Sequence, residues 1–491
     1  MGFGDWIRKV FHKMFPKKTV EGKLNVQIAT SAAMDRSVEL WQQMYANHPP
    51  WQGEKVRSVV PLNLPATIAE EMARLTLTEF SLELTGSPRA EYILEQMENY
   101  LENLSGIVER WAALGGIALK PIVTGDDGAG NPAAIHIDIN PANRFYPTAF
   151  NSNQEVTGAV FVDTKHIGDY IYTRLEHHNL NGTSYTVTNK AFRSERLNGS
   201  GTQDVLTCSY PFLQEVTLDS VEDWAGLEPE VTLEHIPSPL FVYVKIPRAN
   251  NIDPESPLGA SVFSRAVDTI RKADEQYSRT LWEYEATEAA VFAERSLFKQ
   301  DKRGGTILPE GTERLFRVLD HETTPDKAPV LKEYAPTIRD VSMFNGLNEL
   351  LRRIETQCGL AFGTLSNVAD TEKTATEIKM SKQRSYTTIH AMQEAWERGL
   401  NRLIGVMDTL CSLYHLAPEG NIEVTCTWGD GVLEDTDLEY ARRLSMVSAN
   451  LMRPETFMAW YFGCTEEEAL ERYLPAPERN EEEDALDEEE E

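Results

Sequence analysis

The stretch that most limits what this chain can become runs from Gly359 to Leu416, where a glycine-punctuated loop opens into one very long helical pattern. The loop reads Gly359-Leu360-Ala361-Phe362-Gly363-Thr364-Leu365-Ser366-Asn367-Val368-Ala369-Asp370, and no proline follows until Pro418. Apolar residues then fall at Ile389, Met392, Trp396, Leu400, Leu403, Met407, Leu410 and Tyr414. Steps of three and four residues fit one stripe of a helix and no strand. Thr374-Ala375-Thr376-Glu377 has the spacing of a capping box, which marks the start. From Thr374 to Tyr414 such a helix spans roughly 60 Å. A loop delivered by a beam of that length suits a mechanical part better than a catalytic pocket.

The rest of the chain reads as mixed helix and sheet, the α+β class. Asp5 to Lys18 is a basic amphipath with Trp6, Ile7, Val10, Phe11, Met14 and Phe15 on one face, ended by Pro16. Such a segment suits an anionic membrane surface, a partner's groove or a face of its own protein. Helices are predicted over 32–45, 64–76 and 89–114, the last broken by Gly115-Gly116. Strands then alternate with polar turns as far as about Lys245, among them 117–123, 134–139, 158–162, 170–175, 184–187 and 241–246. Phe263, Val267, Ile270, Tyr277, Leu281 and Tyr284 mark a helix running to about Phe292. A turn-rich insertion follows it, and then a second helix from Ile338 to Gln357. Beyond the long helix, Ile422 to Trp428 alternates as a strand. Short helices follow at Thr436, at Pro454 and after Thr465.

Composition bounds the function. The 491 residues allow two to four domains, and 77 acidic against 47 basic residues give a formal charge of −30. Part of that excess is the run Glu481 to Glu491, a block that buries no apolar surface and is expected to be disordered. The acidity of the remainder argues against tight wrapping of nucleic acid through counterion release. It is compatible with surrounding DNA without gripping it. Five scattered cysteines (Cys208, Cys358, Cys411, Cys426, Cys464), with no signal-peptide pattern before them, point to reduced thiols in a cytosolic setting. No apolar run is long enough to cross a bilayer, so a soluble chain is expected.

Catalytic signals are missing. No phosphate-cradling glycine loop carries its lysine, and no Gly-x-Ser-x-Gly elbow occurs. His177-His178 is the only adjacent histidine pair, and neighbours on a strand face opposite ways. Asp430, Glu434, Asp435 and Asp437 lack the spacing of a calcium loop. Neither an enzyme, a cofactor nor a metal site is expected. Two basic groupings stand against the acidic background. One is Lys373, Lys379, Lys382 and Arg384 at the start of the long helix, and the other is Lys299, Lys302 and Arg303 in the insertion. Solvated surface explains any one of them; Lys373 is singled out because it joins the loop to the beam.

The order of these elements resembles the portal, or head–tail connector, proteins of tailed bacteriophages and prophages, in the branch found with Gram-positive hosts. The carriers are Trp41-Gln42-Gln43-Met44-Tyr45 with Trp51, Leu114-Gly115-Gly116-Ile117-Ala118-Leu119-Lys120-Pro121, Lys373-Thr374-Ala375-Thr376-Glu377-Ile378, and Trp428-Gly429-Asp430 leading to Asp435. The resemblance implies a ring, usually of twelve subunits, at one capsid vertex, through which double-stranded DNA passes without sequence specificity. It implies an N-terminal helix and wing over 1–257, stem helices over 258–293 and 337–358, and a clip over 294–336. The tunnel loop would be 359–373, the long wing helix 374–416, the returning wing strand 417–434 and the crown 435–478, with the acidic tail over 479–491. Implied partners are other copies of the chain, the terminase large subunit, the head–tail adaptor and the capsid and scaffolding proteins. The implied location is the virion, after assembly in the host cytoplasm, with no stable membrane association. On this footing Gly359, Leu360, Ala361, Phe362, Gly363, Thr364 and Leu365 form a moving loop at the constriction. Lys373, Lys379, Lys302 and Arg303 are candidates to face DNA, and Trp396 and Leu400 to contact the next subunit. Two competing readings are a membrane-associated scaffold held by the N-terminal amphipath and a magnesium-dependent nuclease. The first leaves the beam unexplained, and the second needs a carboxylate cluster that the sequence does not show.

Overall fold

Apolar spacing determines the first helices. In the computed structural model, which describes residues 17–53, 59–124, 134–195, 214–301, 306–308, 315–319, 331–367, 375–429, 436–462 and 464–473, Lys17–Leu24 forms α1 directly after Pro16, where the sequence suggested a stop. A proline lacks only the N–H that a helix's first turn leaves unused, so it begins a helix as readily as it ends one. Asp5 to Pro16, the bulk of the expected amphipath, lies outside the described residues. Ser31 caps α2 (Ala32–Tyr45) by accepting from the Met34 N–H, and α2 buries Met34, Val38, Trp41 and Met44. α3 (Leu64–Thr76) follows as expected. The single helix predicted over 89–114 is two, α4 (Pro88–Glu102) and α5 (Leu104–Leu114). Apolar spacing runs unbroken across the junction, which hid it. The Asn103 side chain donates to Asn99 O at 2.7 Å, and side chains that compete for helix carbonyls weaken the ladder there.

Three sheets build the body of the first unit. β1 (Ser81–Thr85) lies between α3 and α4 in the chain. β2 (Gly116–Thr124) pairs antiparallel with β3 (Ala134–Pro141) and, on its other edge, with a later strand. β4 (Phe145–Phe150), β5 (Val156–Ile167), β6 (Tyr170–Asn181), β7 (Ser184–Glu195) and β8 (Gln214–Val216) form a six-stranded sheet with β9 (Glu230–Leu233) on β7. β10 (Val242–Lys245) is that outer partner of β2. Gly115 ends α5 at φ +83°, and a side chain there would meet Gly259 O at 2.5 Å. Only glycine lets the two backbones approach so closely.

α6 (Val267–Ala286) and α7 (Asp340–Cys358) pack together, with a small sheet between them in the chain. Gln276 Nε2 donates to Met343 O, and Glu283 pairs with Arg339. The partners rise along α6 as they fall along α7, so the two are antiparallel. The helix expected to reach Phe292 stops at Ala286. Phe292 lies instead in β11 (Ala290–Glu294), between β14 (Phe316–Leu319), parallel to it, and β15 (Leu331–Tyr334), antiparallel. Ala-Ala-Val-Phe-Ala fits either period, and sheet pairing decides it. β12 (Lys299–Gln300) and β13 (Thr306–Ile307) make a further short ladder.

α8 (Ala375–Tyr414) is the long helix. Its stripe from Ile389 to Leu410 is buried in the main core, and Tyr414 is exposed. β16 (Glu423–Thr427) then pairs antiparallel with β1, bringing Thr427 opposite Ser81. The helix therefore carries the chain back to its own beginning. Residues from Asp430 onward form a second unit. In it α9 (Thr436–Ser448), α10 (Pro454–Phe462) and α11 (Glu466–Arg472) pack around Phe457, whose ring lies 5.5 Å from Tyr440. The capping box expected at Thr465 and Glu468 is present.

Candidate functional site

The junction between α7 and α8 is the feature the sequence singled out, and its geometry rests on one acid. Glu355 is 0 % exposed in the last turn of α7. A helix dipole disfavours an anion at that end, so the carboxylate needs compensation, and the loop supplies it. Oε1 accepts from Gly363 N at 3.1 Å, Leu365 N at 2.6 Å and Ser366 N at 2.8 Å. Oε2 accepts from the Ser366 hydroxyl at 2.9 Å. Gly359 (φ +85°) and Gly363 (φ +93°) occupy the left-handed backbone states that this turn requires.

Two expectations for the loop are corrected by this. Leu360 does not line an opening; it is 0 % exposed and belongs to the main core. Thr364 and Leu365 sit in a turn fixed by hydrogen bonds, Thr364 Oγ1 donating to Ala361 O at 2.7 Å. Phe362 is exposed, with the Arg384 guanidinium 5.7 Å from its ring centre. The remainder of the expected moving segment, Val368 to Lys373, lies outside the described residues, as do Lys302 and Arg303. Lys379 falls on α8 as expected, its side chain outside the description.

A third correction concerns Trp396 and Leu400. Each is 1 % exposed in the isolated chain, and the Trp396 ring lies 4.9 Å from Trp111. They are core residues, with no surface left for a second subunit. Exposed apolar side chains lie elsewhere among the described residues: Trp282 and Tyr284 on α6, Val341 and Phe344 on α7, and Leu331 and Tyr334 on β15.

Behind the junction Arg248 donates to Cys358 O, the last carbonyl of α7, at 3.0 Å and to Val262 O at 2.7 Å. Burial lowers the Arg248 pKa and pushes the Cys358 thiol up to about 12. The two line a cavity of about 240 Å³ with Ile246, Val262, Thr388 and Met392. A thiol with so high a pKa is a poor nucleophile.

The histidine pair joins a buried polar network. His178 is buried, its Nε2 2.7 Å from Glu176 Oε1 and its Nδ1 2.7 Å from the Tyr185 hydroxyl. Glu176 Oε2 takes Lys120 at 2.6 Å and Arg174 at 3.0 Å. Burial works to raise the Glu176 pKa, but Lys120, His178 and Arg174 outweigh it and hold the carboxyl well below its usual range. His177 Nε2 faces the Thr148 hydroxyl at 3.1 Å. Among the described residues no group of three or more His, Cys, Asp or Glu is placed to hold a metal, and no helix is long and apolar enough to cross a membrane. Asp430, Glu434 and Asp435 lie outside the described residues.

Sequence reading missed Glu355 as the organiser of the junction. The signal was available: an acid one place from the stripe residue Ile354, in the final turn of a helix with no basic residue there. The chain is an α+β protein. No family model matches it, and no curated protein does.

Proposed function

We propose that the protein is a subunit of a ring through which double-stranded DNA passes, and that the ring is a phage portal. The observation that carries this is the α6–sheet–α7–turn–α8 succession, on whose helix pair and small sheet Trp282, Val341, Phe344 and Leu331 are exposed. Apolar residues that one chain leaves exposed are what a ring closed by head-to-tail contacts can bury. In this reading α6 and α7 are the stem, the β11–β14–β15 sheet belongs to the clip, and the second unit is the crown. A chain of net charge −30 gives a channel that repels phosphates, so that DNA slides without being trapped. Lys373, Lys379, Lys302 and Arg303 are the cations that would lower local barriers along it. The ATPase that drives packaging is then a separate protein, the terminase, docking at the clip, where the adaptor later replaces it. Capsid and scaffolding proteins hold the ring in the virion.

Electron microscopy of the purified full-length chain tests this directly. Closed rings of about twelve subunits with an open centre are expected. A chain that stays monomeric under every assembly condition and cleaves DNA would remove the proposal in favour of a nuclease.

A further inference from the structure

Among the described residues Arg248 is a partly buried guanidinium with no acid paired to it. A guanidinium carries five N–H donors. Two are spent on backbone carbonyls, Nη1 on Val262 O at 2.7 Å and Nη2 on Cys358 O at 3.0 Å. Glu355, three residues before Cys358, is taken up by the amides of the turn. Burial lowers the Arg248 pKa and the neighbouring Arg265 adds to that. The Cys358 thiol would oppose them, but it is pushed up to about 12 and carries no charge at neutral pH. The negative end of the α7 dipole lies beside Arg248 and offsets a fraction of a full charge. A cation withdrawn from water without an anion is costly.

Arg248 also lines the cavity of about 240 Å³, and it is the one charged residue that does. At about 30 Å³ for each water, there is room for roughly eight, which suits a small solute. The walls are apolar: Ile246, Pro247 and Val262 from the chain around β10, and Ala391 and Met392 from α8. Thr387 and Thr388 line it too, but their hydroxyls donate within α8, to Gln383 O at 2.9 Å and Arg384 O at 3.1 Å. A phosphate asks for several donors around it; this cavity offers one cation and hydrocarbon. A carboxylate on a short aliphatic stem matches both, its oxygens pairing with guanidinium N–H groups and its stem leaving water.

We propose that this cavity is a binding site for a monocarboxylate on a short aliphatic stem, held by Arg248 against Val262, Ala391 and Met392. The site goes beyond the ring and does not rest on it. Such a group is offered by a free short-chain acid or by an Asp or Glu side chain of a second copy.

Met392 supplies the probe. In the full-length chain with isotope-labelled methionine methyl groups, its signal is assigned by Met392→Leu. Butyrate is expected to shift that signal saturably, with a half-point on the order of millimolar for so small a ligand. Butyramide, the same stem without the charge, and inorganic phosphate at matched ionic strength should be bound at least about tenfold more weakly. Ala391→Leu fills the cavity and leaves Arg248 with its two carbonyl bonds, so it should abolish the butyrate response. Arg248→Met should do the same, and where that variant fails to fold, Ala391→Leu still decides. No saturable shift in the wild type overturns the site. An equal response to butyramide overturns recognition by Arg248, and an equal response to phosphate overturns the carboxylate class. An unchanged response in Ala391→Leu puts binding outside this cavity and overturns the proposal as well. Dilution without ligand then reads the source of the carboxylate in a protein that does bind butyrate. A Met392 signal that moves with protein concentration, and less so once butyrate is added, assigns it to a second copy; a signal independent of concentration assigns it to a free acid.

Discussion

Lys120, 2 % exposed, stands over the Phe161 ring at 4.8 Å and shares Glu176 with Arg174 and His178. A buried network of this kind makes stability depend on pH. Burial lowers His177 from 6.5 to about 4 and also lowers His178, against the opposing pull of Glu176. As pH falls below 6.5 the unfolded chain takes up these protons first, so the native state loses stability between pH 6.5 and about 4. Glu176 acts lower down: its depressed pKa contributes stability above the ordinary carboxylate range, which is lost only as pH falls through its own pKa. The thermal midpoint should therefore fall across the upper window, and His177→Gln should flatten part of that slope. Equal slopes in both proteins would take His177 out of the account. Trp396 gives a second residue-scale prediction. Because it is buried against Trp111, Trp396→Ala should cost about 3–5 kcal/mol in the denaturant midpoint of the monomer. A loss of assembly without that loss of stability would return Trp396 to the subunit boundary.

At the scale of elements, the α6–α7 pair divides its work between two kinds of residue. Arg339 reaches Glu283 through Nε at 2.9 Å and Nη2 at 2.8 Å, and the hydrogen bonds hold the Glu283 carboxyl below its ordinary pKa. Leu347 and Ile354 are buried, while Phe344 and Val341, about one and two turns nearer the sheet than Leu347, are 45 % and 69 % exposed. The apolar stripe of α7 thus continues from buried positions onto exposed ones. Replacing Val341 and Phe344 with Ser should lower ring yield in sedimentation, yet move monomer stability by only about 0.5 kcal/mol, as exposed positions do. Equal loss of both would show that the pair is held together through these residues instead.

For the whole molecule, if the proposed ring forms, the acidic excess and the run Glu481 to Glu491 are expected to act on its solubility rather than on its assembly. A charge block contributes no packed surface, so deleting 481–491 should leave ring size and yield unchanged. Its effect should appear in solubility at low ionic strength, where like charges on neighbouring subunits are least screened. A deletion that abolished rings would make the segment structural.

Periodicity by itself determined the helices at 32–45 and 64–76, the strands around β2, β5 and β10, the 40-residue α8 and its buried stripe. Each buries one face, and burial on one face writes its period into the residues. What the period cannot state is the partner. Trp396 looked like a surface for another subunit because nothing local reveals that Trp111, almost three hundred positions earlier, lies against it. Phe292 looked helical because its pairing with Arg317 and Lys332 is not local either. Glu355 was one acid among 77 until the turn folded back and aimed Gly363, Leu365 and Ser366 at it. Side-chain spacing is a property of the chain; which groups meet, and so which charges are satisfied and which apolar faces stay bare, is decided only when distant segments share one volume.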